Sequence, residues 1–465
     1  SGERLTVSLR RAGIGALALA VIAGASAMPT AASASALESG DMDPAFAATG
    51  SGLSDSVYAV AVQPDGKIIV AGDFTAYNGT TRSRVARLNS DGTLDTSFAQ
   101  TGTGLNGSVY AMVLQSDGKM LVGGAFTSYN GTSRARIARL NADGTLDTAF
   151  TQTGSGLNGT VRAISLGTDG KLLAGGDFTS YNATPEPHVA QLTSTGSLDT
   201  SFAQTGTGIS GSVHAITRQA DGRIVVGGSF LLYDVVGEFD VARLNSNGTL
   251  DYTFQPSGTG LSDAVNAIVI QPDGKIVVGG AFTNYNTVPV GHLVRLNSNG
   301  SRDMSFTASG SGFDHTVTSI VRQPNGQMLV AGPGSSAGVS VAKVNSDGSQ
   351  DPSFDVTPQG MVQGRLTGTA LAVALLPDSK VIVGGQFTSV GWYDLGIFRS
   401  APAIKVVRLV NDVTAPSAQV TTQVPDGISL NTAYPFQWTA TDDWDGVQTQ
   451  ALTRSKSFGG AFGDW

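Results

Sequence analysis

From Val57 the chain reads VYAVAV, apolar and rich in β-branched residues, and then breaks at Pro64-Asp65-Gly66. Such a run predicts a buried strand. The break is a turn with a mechanism, because proline fixes one φ and glycine admits a positive one. KIIVAGDF follows as a second strand and ends in the polar loop TAYNGTTRSR. A third run, VARLN at 85–89, reaches another Asp-Gly turn at Asp91-Gly92, and LDTSF, ending at Phe98, predicts a short fourth strand. The pattern then starts again. The Asp-Gly pair recurs at Asp117, Asp169, Asp221 and Asp273 in steps of 52, Asn325 keeps the step, and Asp378 follows after 53. Four strands of about six residues, two tight turns and two loops near ten residues fill about that length. The expected fold is therefore all-β: a seven-bladed β-propeller with four-stranded blades.

The fourth segment also predicts how the ends meet. DPAF at Asp43–Phe46 precedes the first repeat, and its equivalents begin at Asp95, Asp147, Asp199, Asp251, Asp303 and Asp351. After the last third strand, VVRL at 406–409, no such segment follows. The N-terminal strand is expected to close the last blade and so remove an open sheet edge. Gly72, Gly124, Gly176, Gly228, Gly280, Gly332 and Gly385 share one position of the second strand. Glycine weakens a strand interior unless another backbone approaches closely, so these residues are expected to permit packing of one blade on the next.

LDTSFAQTGTGLNGSVYAMVLQSDGKMLVGGAFTSYNGTSRARIARLNADGT, read from Leu94, resembles the delta-60 repeat of exported and surface bacterial proteins, over about residues 41–410. The resemblance implies a β-propeller of secreted proteins and brings no activity or catalytic residues. Two repeats depart from it: the sixth has PGSSAG in place of the Phe-Thr-x-Tyr-Asn loop, and the seventh expands that loop to TSVGWYDLGIFRSAPA.

Composition adds the setting. Of 465 residues, 40% are hydrophobic and 14% charged, enough apolar material for a core. The formal net charge is -8, which disfavours nucleic acid as a partner. Arg10-Arg11, an apolar run from Ala12 to about Ala27 and the small residues Ala34-Ser35-Ala36 read as a secretory signal peptide, assigned to residues 1–36. An uncleaved membrane anchor is the alternative. The chain has no Cys, so an exported domain at 37–410 must hold itself by packing alone. From 411 to 465 the period stops; TAPSAQVTTQVPDGISLNTAYPFQWTATDDWDGV suggests the opening strands of a partial β-sandwich, resembling immunoglobulin-like or fibronectin-like modules.

Meandering strands place both Asp-Gly turns of a repeat on one face and the long connections on the other, where variation is accommodated. The long-loop face carries Tyr77, Tyr129, Tyr181, Tyr233 and Tyr285, then Trp392 and Tyr393 in the seventh repeat. These rings are binding candidates for sugars or proteins; the alternative is that each packs its own loop. A second set lies one residue into the first strand: Tyr58, Tyr110, Arg162, His214, Asn266 and Thr318. That position is polar and changes between repeats while its neighbours stay apolar, which suits a small-ligand site at the mouth of a central channel, or merely polar tips in water.

Motifs for chemistry are sparse. His188, His214, His292 and His315 have no metal-ligand spacing, and no nucleophile elbow, HExxH or phosphate loop is present. Arg87 and Phe98 stand where an EF-hand starting at Arg87 would need its first and twelfth ligands, leaving a looser calcium site at Asp91 and Asp95 as the remaining metal reading. No cofactor is expected. The sequence thus points to a monomeric, secreted or surface-displayed, non-enzymatic module that binds an extracellular glycan or protein without a membrane contact of its own. Two alternatives are a polysaccharide-acting enzyme with acidic residues near the channel mouth and a passive spacer for a C-terminal module.

Overall fold

The computed structural model describes residues 39, 42, 43, 45, 46, 51–98, 102–151, 154–237, 239–254, 258, 260–306, 313, 315–333, 341–354, 363–387, 389–394, 397–402, 405–411, 417–420, 436–441 and 451–452. The proposed leader lies outside them. Two compact units are distinguished: 39–411, and a second made of both termini. In the second unit, strands Ser417–Val420, Phe436–Thr441 and Ala451–Leu452 form one antiparallel sheet.

In the larger unit the repeat builds a three-stranded antiparallel sheet. The first consists of Val57–Val62, Ile68–Gly72 and Val85–Leu88, with Ile68–Gly72 in the middle. Among the described residues seven such sheets recur, the last formed by Ala370–Leu375, Val381–Gly385 and Val406–Leu409. The turns behave as the sequence predicts: Gly66 and Gly92 have φ of 80° and 87°. Asp65 and Asp91 each accept a backbone N–H two residues on, from Lys67 and Thr93.

The four-stranded unit is corrected. The fourth segment touches the third strand at one bridge, Leu88↔Leu94, and then turns away as the Phe98 N–H donates to Asp95 O. The cause is Asp95, whose side chain accepts from Ser97 N at 2.9 Å and faces Arg87 at 2.8 Å and Lys67 at 2.9 Å. These bonds bend the backbone off the strand path. They also answer the calcium reading, since two cations occupy the place a metal would take. Among the described residues no group of three or more His, Asp or Glu could hold an ion.

Packing explains why the middle strands read as unbroken apolar runs. Ile68 and Val70 join one core cluster, Ile69 and Ala71 the next, and all four are fully buried. A strand covered on both faces has no polar side to show. Each cluster combines facing sides of consecutive sheets, and one combines Val57, Ile68 and Val70 with Leu376, Ile382 and Val406 of the seventh sheet.

The two ends of this unit therefore meet. Met42 bridges Leu409, Asp43 N donates to Arg408 O, and the Asp43 carboxylate faces Arg408 at 2.8 Å and Lys380 at 2.9 Å. The Arg408 guanidinium lies over the Phe46 ring and donates to the Ser90 carbonyl of the first repeat. Equivalent arginines pin consecutive repeats together: Arg87 to Ala142 O and Arg139 to Ser194 O, both at 2.7 Å.

The glycine expectation is also corrected. A Cβ at Gly72 or its equivalents would strike a carbonyl within the same repeat, that of Ser56 for Gly72 and Ser108 for Gly124. The glycine one residue earlier serves the sheet-to-sheet contact: at Gly175 a Cβ would meet Val213, and at Gly384 it would meet Val57 of the first sheet.

Burial alone would raise the Asp147 carboxyl, but Lys119, Ala149 N–H and Arg139 hold it near about 2. Asp43, Asp95, Asp199, Asp251, Asp303 and Asp351 are lowered in the same way by their partners. A depressed carboxyl stabilises the fold above its unfolded pKa and loses that contribution as pH falls through the folded value. For Asp147 alone this is about 2 kcal/mol, lost between about pH 4 and 2. Denaturant titrations are expected to show stability that falls steeply below pH 4 as these carboxylates protonate.

Candidate functional site

The first strand of a sheet pairs irregularly near its start. Val57 faces Gly72 and Ala59 faces Ala71, so Tyr58 is the extra residue of a β-bulge. The same slip flanks Tyr110, Arg162, His214, Asn266 and, in the seventh sheet, Leu371. A bulge re-aims the side chain it carries. The close approach at Gly72 belongs to this device, because the bulge brings the Ser56 carbonyl onto the glycine.

The re-aimed side chains of successive repeats reach one another. Tyr58 and Tyr110 lie with ring centroids 5.0 Å apart and planes tilted by 44°. The Arg162 guanidinium sits 5.7 Å from the Tyr110 ring centre. His214 Nδ1 and Asn266 Oδ1 are 3.3 Å apart, Asn266 Nδ2 donates to Val317 O at 3.1 Å, and the Thr318 hydroxyl donates to Ala370 O at 2.6 Å. The six sequence candidates thus form a row across six repeats. Arg162 is exposed and the other five are half-buried.

A second tier supports the row, and sequence reasoning missed it. The residue after the last glycine of the second strand is Asp73 in the first repeat and Asp177 in the third. Tyr58 Oη donates to Asp73 at 2.8 Å, and Asp73 also accepts from Arg84 at 3.2 Å and from Ser108 of the next repeat. Arg162 pairs with Asp177 at 2.7 Å, which accepts from Ser212 of the following repeat. The available signal was that this position also varies, as Ala125, Ser229 and Ala281 elsewhere.

Electrostatics follow the contacts. Burial and the bond to Asp73 push the Tyr58 phenol up to about 12. Burial alone would raise Asp177, but Arg162 and the Ser212 hydroxyl hold it below the usual carboxylate value. Burial lowers the His214 imidazole, keeping it neutral at pH 7, despite the opposing bond to Asn266.

The loop tyrosines are different, and here the expectation is corrected. Tyr77, Tyr129, Tyr181, Tyr233 and Tyr285 are 1–3% exposed. Their hydroxyls donate to the carbonyls of Gly92, Gly144, Gly196, Gly248 and Gly300, each in the turn of the same repeat. Leu53, Leu105, Leu157, Ile209 and Leu261 bridge their backbones. Rings so enclosed hold their repeat together and offer no stacking surface. Trp392 and Tyr393 run in strand Ser389–Asp394, between Gln363–Thr367 and Ile397–Pro402; their side chains lie outside the described residues.

Two buried carboxyls stand apart from the row. Burial raises Glu186 to about 7. Burial and the nearby Asp263 raise Asp240 to about 6, against the Phe230 N–H that it accepts. A raised carboxyl contributes stability below its unfolded pKa and loses it as pH climbs to the folded value. Glu186→Gln is therefore expected to stabilise the protein at pH 8 by roughly 3 kcal/mol at most, with no gain at pH 4. Thermal melts at the two pH values check this.

Six segments, 63–98, 115–150, 167–202, 219–254, 271–306 and 323–354, match the family model described as a domain of unknown function (DUF5122) beta-propeller. No curated protein matches the chain. Among solved structures it is similar to the WD40 β-propeller domain of Doa1, at 16% identity and TM-score 0.49, over 80% of this chain and 95% of that one. It is also similar to the extracellular domain of a hybrid two-component system of B. thetaiotaomicron, at 14% identity and TM-score 0.48. That match covers 90% of this chain and 47% of the other. Among the described residues no helix is long and apolar enough to cross a membrane. The matched segments, recurring with the 52-residue step and each contributing to one of the sheets described above, make the chain a β-propeller repeat protein.

Proposed function

We propose that the chain is an exported, non-enzymatic binding module of bacteria: a seven-bladed propeller closed by its N-terminal segment, acting as a monomer after removal of residues 1–36. Its ligand is an extracellular glycan or protein, docked on the long-loop face over Tyr58, Tyr110, Arg162, His214, Asn266 and Thr318. Residues 411–465 open a sandwich module that follows the propeller. The observation that carries this reading is the row itself. Six positions that vary in chemistry stand on a scaffold that otherwise repeats, and five of them are re-aimed by one bulge each.

An interaction surface fits this arrangement better than a hydrolytic one. The Asp177 carboxyl beside the row is held low by Arg162 and so is unsuited to donate a proton at neutral pH. The raised carboxyls, Glu186 and Asp240, are buried away from solvent.

The test is capture of wall polysaccharides, matrix polysaccharides and surface proteins by the full chain, beside a Tyr58→Ala, Tyr110→Ala, Arg162→Ala variant that keeps its circular dichroism. The reading expects capture that the variant loses at least tenfold. Capture unchanged in the variant overturns it and favours a spacer or another face.

A further inference from the structure

Among the described residues the ion pairs beside the row are internal. Arg162 is matched by Asp177 at 2.7 Å and Arg84 by Asp73 at 3.2 Å, so four charges cancel within the second tier. The remaining row members, Tyr58, Tyr110, His214, Asn266 and Thr318, are uncharged with His214 neutral. No unmatched charge faces outward from these positions, and a chain of net charge -8 repels polyanions over longer range.

Shape points the same way. The Tyr110 ring is already engaged by the Tyr58 ring of the preceding repeat and the Arg162 guanidinium of the next, which leaves it less open to a deep aromatic ligand. The row presents part-buried phenol rings, an exposed guanidinium, an amide and an imidazole. Such a row mixes donors and acceptors at short intervals, which matches the donor–acceptor character of sugar hydroxyls. The spacing is fixed by the sheets, so little ordering cost remains on binding.

We propose that the row takes a neutral, polyhydroxylated chain, an uncharged oligosaccharide, in preference to a uronate- or sialate-bearing one. This rests on the reading of the row as the ligand face. The contacts would be made by Tyr58, Tyr110 and Arg162 on one side and by His214 and Asn266 on the other.

The experiment is calorimetric titration of the full chain with cellohexaose, mannohexaose and chitohexaose, and with hexagalacturonate and hexa-sialic acid, at 50 and 500 mM NaCl. Expected is binding of at least one neutral hexasaccharide that changes less than twofold with salt, exceeds binding of either anionic one tenfold, and falls at least tenfold in Tyr110→Ala and in Asn266→Ala. Preferential, salt-sensitive binding of an anionic hexasaccharide that is still lost in Tyr110→Ala would overturn the neutral class and leave the row in place. Neutral binding that survives both substitutions would overturn the row as well. Silence of all five sugars would overturn the sugar class.

Discussion

Asp43→Ala is expected to cost about 3–5 kcal/mol and to uncouple the seventh sheet from the rest. The carboxylate sits between Arg408 and Lys380, whose side chains are 7% and 17% exposed. Its removal takes the carboxylate from the largely buried Arg408 and from Lys380, which also faces Asp378 at 4.0 Å, and truncating one partner of a buried pair is costly. The position adds a second effect. Asp43 and Arg408 are 365 residues apart in sequence, so their contact ties the two ends of the repeat unit. Asp303→Ala removes the same kind of carboxylate, held by Lys275 and Arg295 at 2.8 and 2.7 Å, from the middle of the chain. Its local cost should be similar while unfolding stays a single transition. Guanidinium unfolding followed by circular dichroism and by hydrogen exchange should give coincident curves for Asp303→Ala and separated ones for Asp43→Ala, the seventh sheet exchanging first. Equal, coincident curves for both would show that the ends contribute no coupling.

The second large effect separates packing from binding. Tyr233→Ala is expected to cost about 3–5 kcal/mol, because the ring is 1% exposed and its truncation leaves a cavity. The hydroxyl also donates to Gly248 O at 2.8 Å and accepts from Thr205 N at 3.0 Å, so a buried carbonyl and a second backbone group lose their partner. Tyr233→Phe keeps the volume and loses those bonds alone, at about 1–3 kcal/mol. Neither change should alter ligand affinity of the folded fraction. Tyr110→Ala should do the reverse, with affinity reduced tenfold and stability changed little. A Tyr233→Ala protein that melts like the parent would contradict the burial argument.

These outcomes mark what was legible from the residues. The period, the turns and the meeting of the ends could be read because each depends on local chemistry repeated in order: Asp-Gly pairs, apolar middle strands, and an Asp-x-x-Phe segment present before the first repeat and missing after the last. The fate of the fourth segment was not legible. LDTSF has strand-like composition, yet Asp95 finds Arg87 and Lys67, and those long-range bonds outweigh a short strand's propensity. The loop tyrosines misled for a related reason. FTSYNG is polar on both sides of its aromatic ring, so local pattern implies exposure, but the tyrosine hydroxyl reaches a turn carbonyl 15 residues on. The bulge row was found by its variability, whereas Asp73 and Asp177 were passed over because each looked like an ordinary strand end.

The row stands on a set of sheets whose first and seventh members share one core cluster, so the contact between Met42 and Leu409 tests that frame most directly. The chain contains no Cys, and a bridged antiparallel pair has Cα atoms roughly 4.5–5.5 Å apart, within disulfide range. Met42→Cys with Leu409→Cys is predicted to form an intramolecular disulfide on mild oxidation of the folded protein. Its oxidised form should unfold at a higher guanidinium midpoint than its reduced form. Two thiols that stay free and reactive in the native protein would contradict the closure and, with it, the ligand face built upon it.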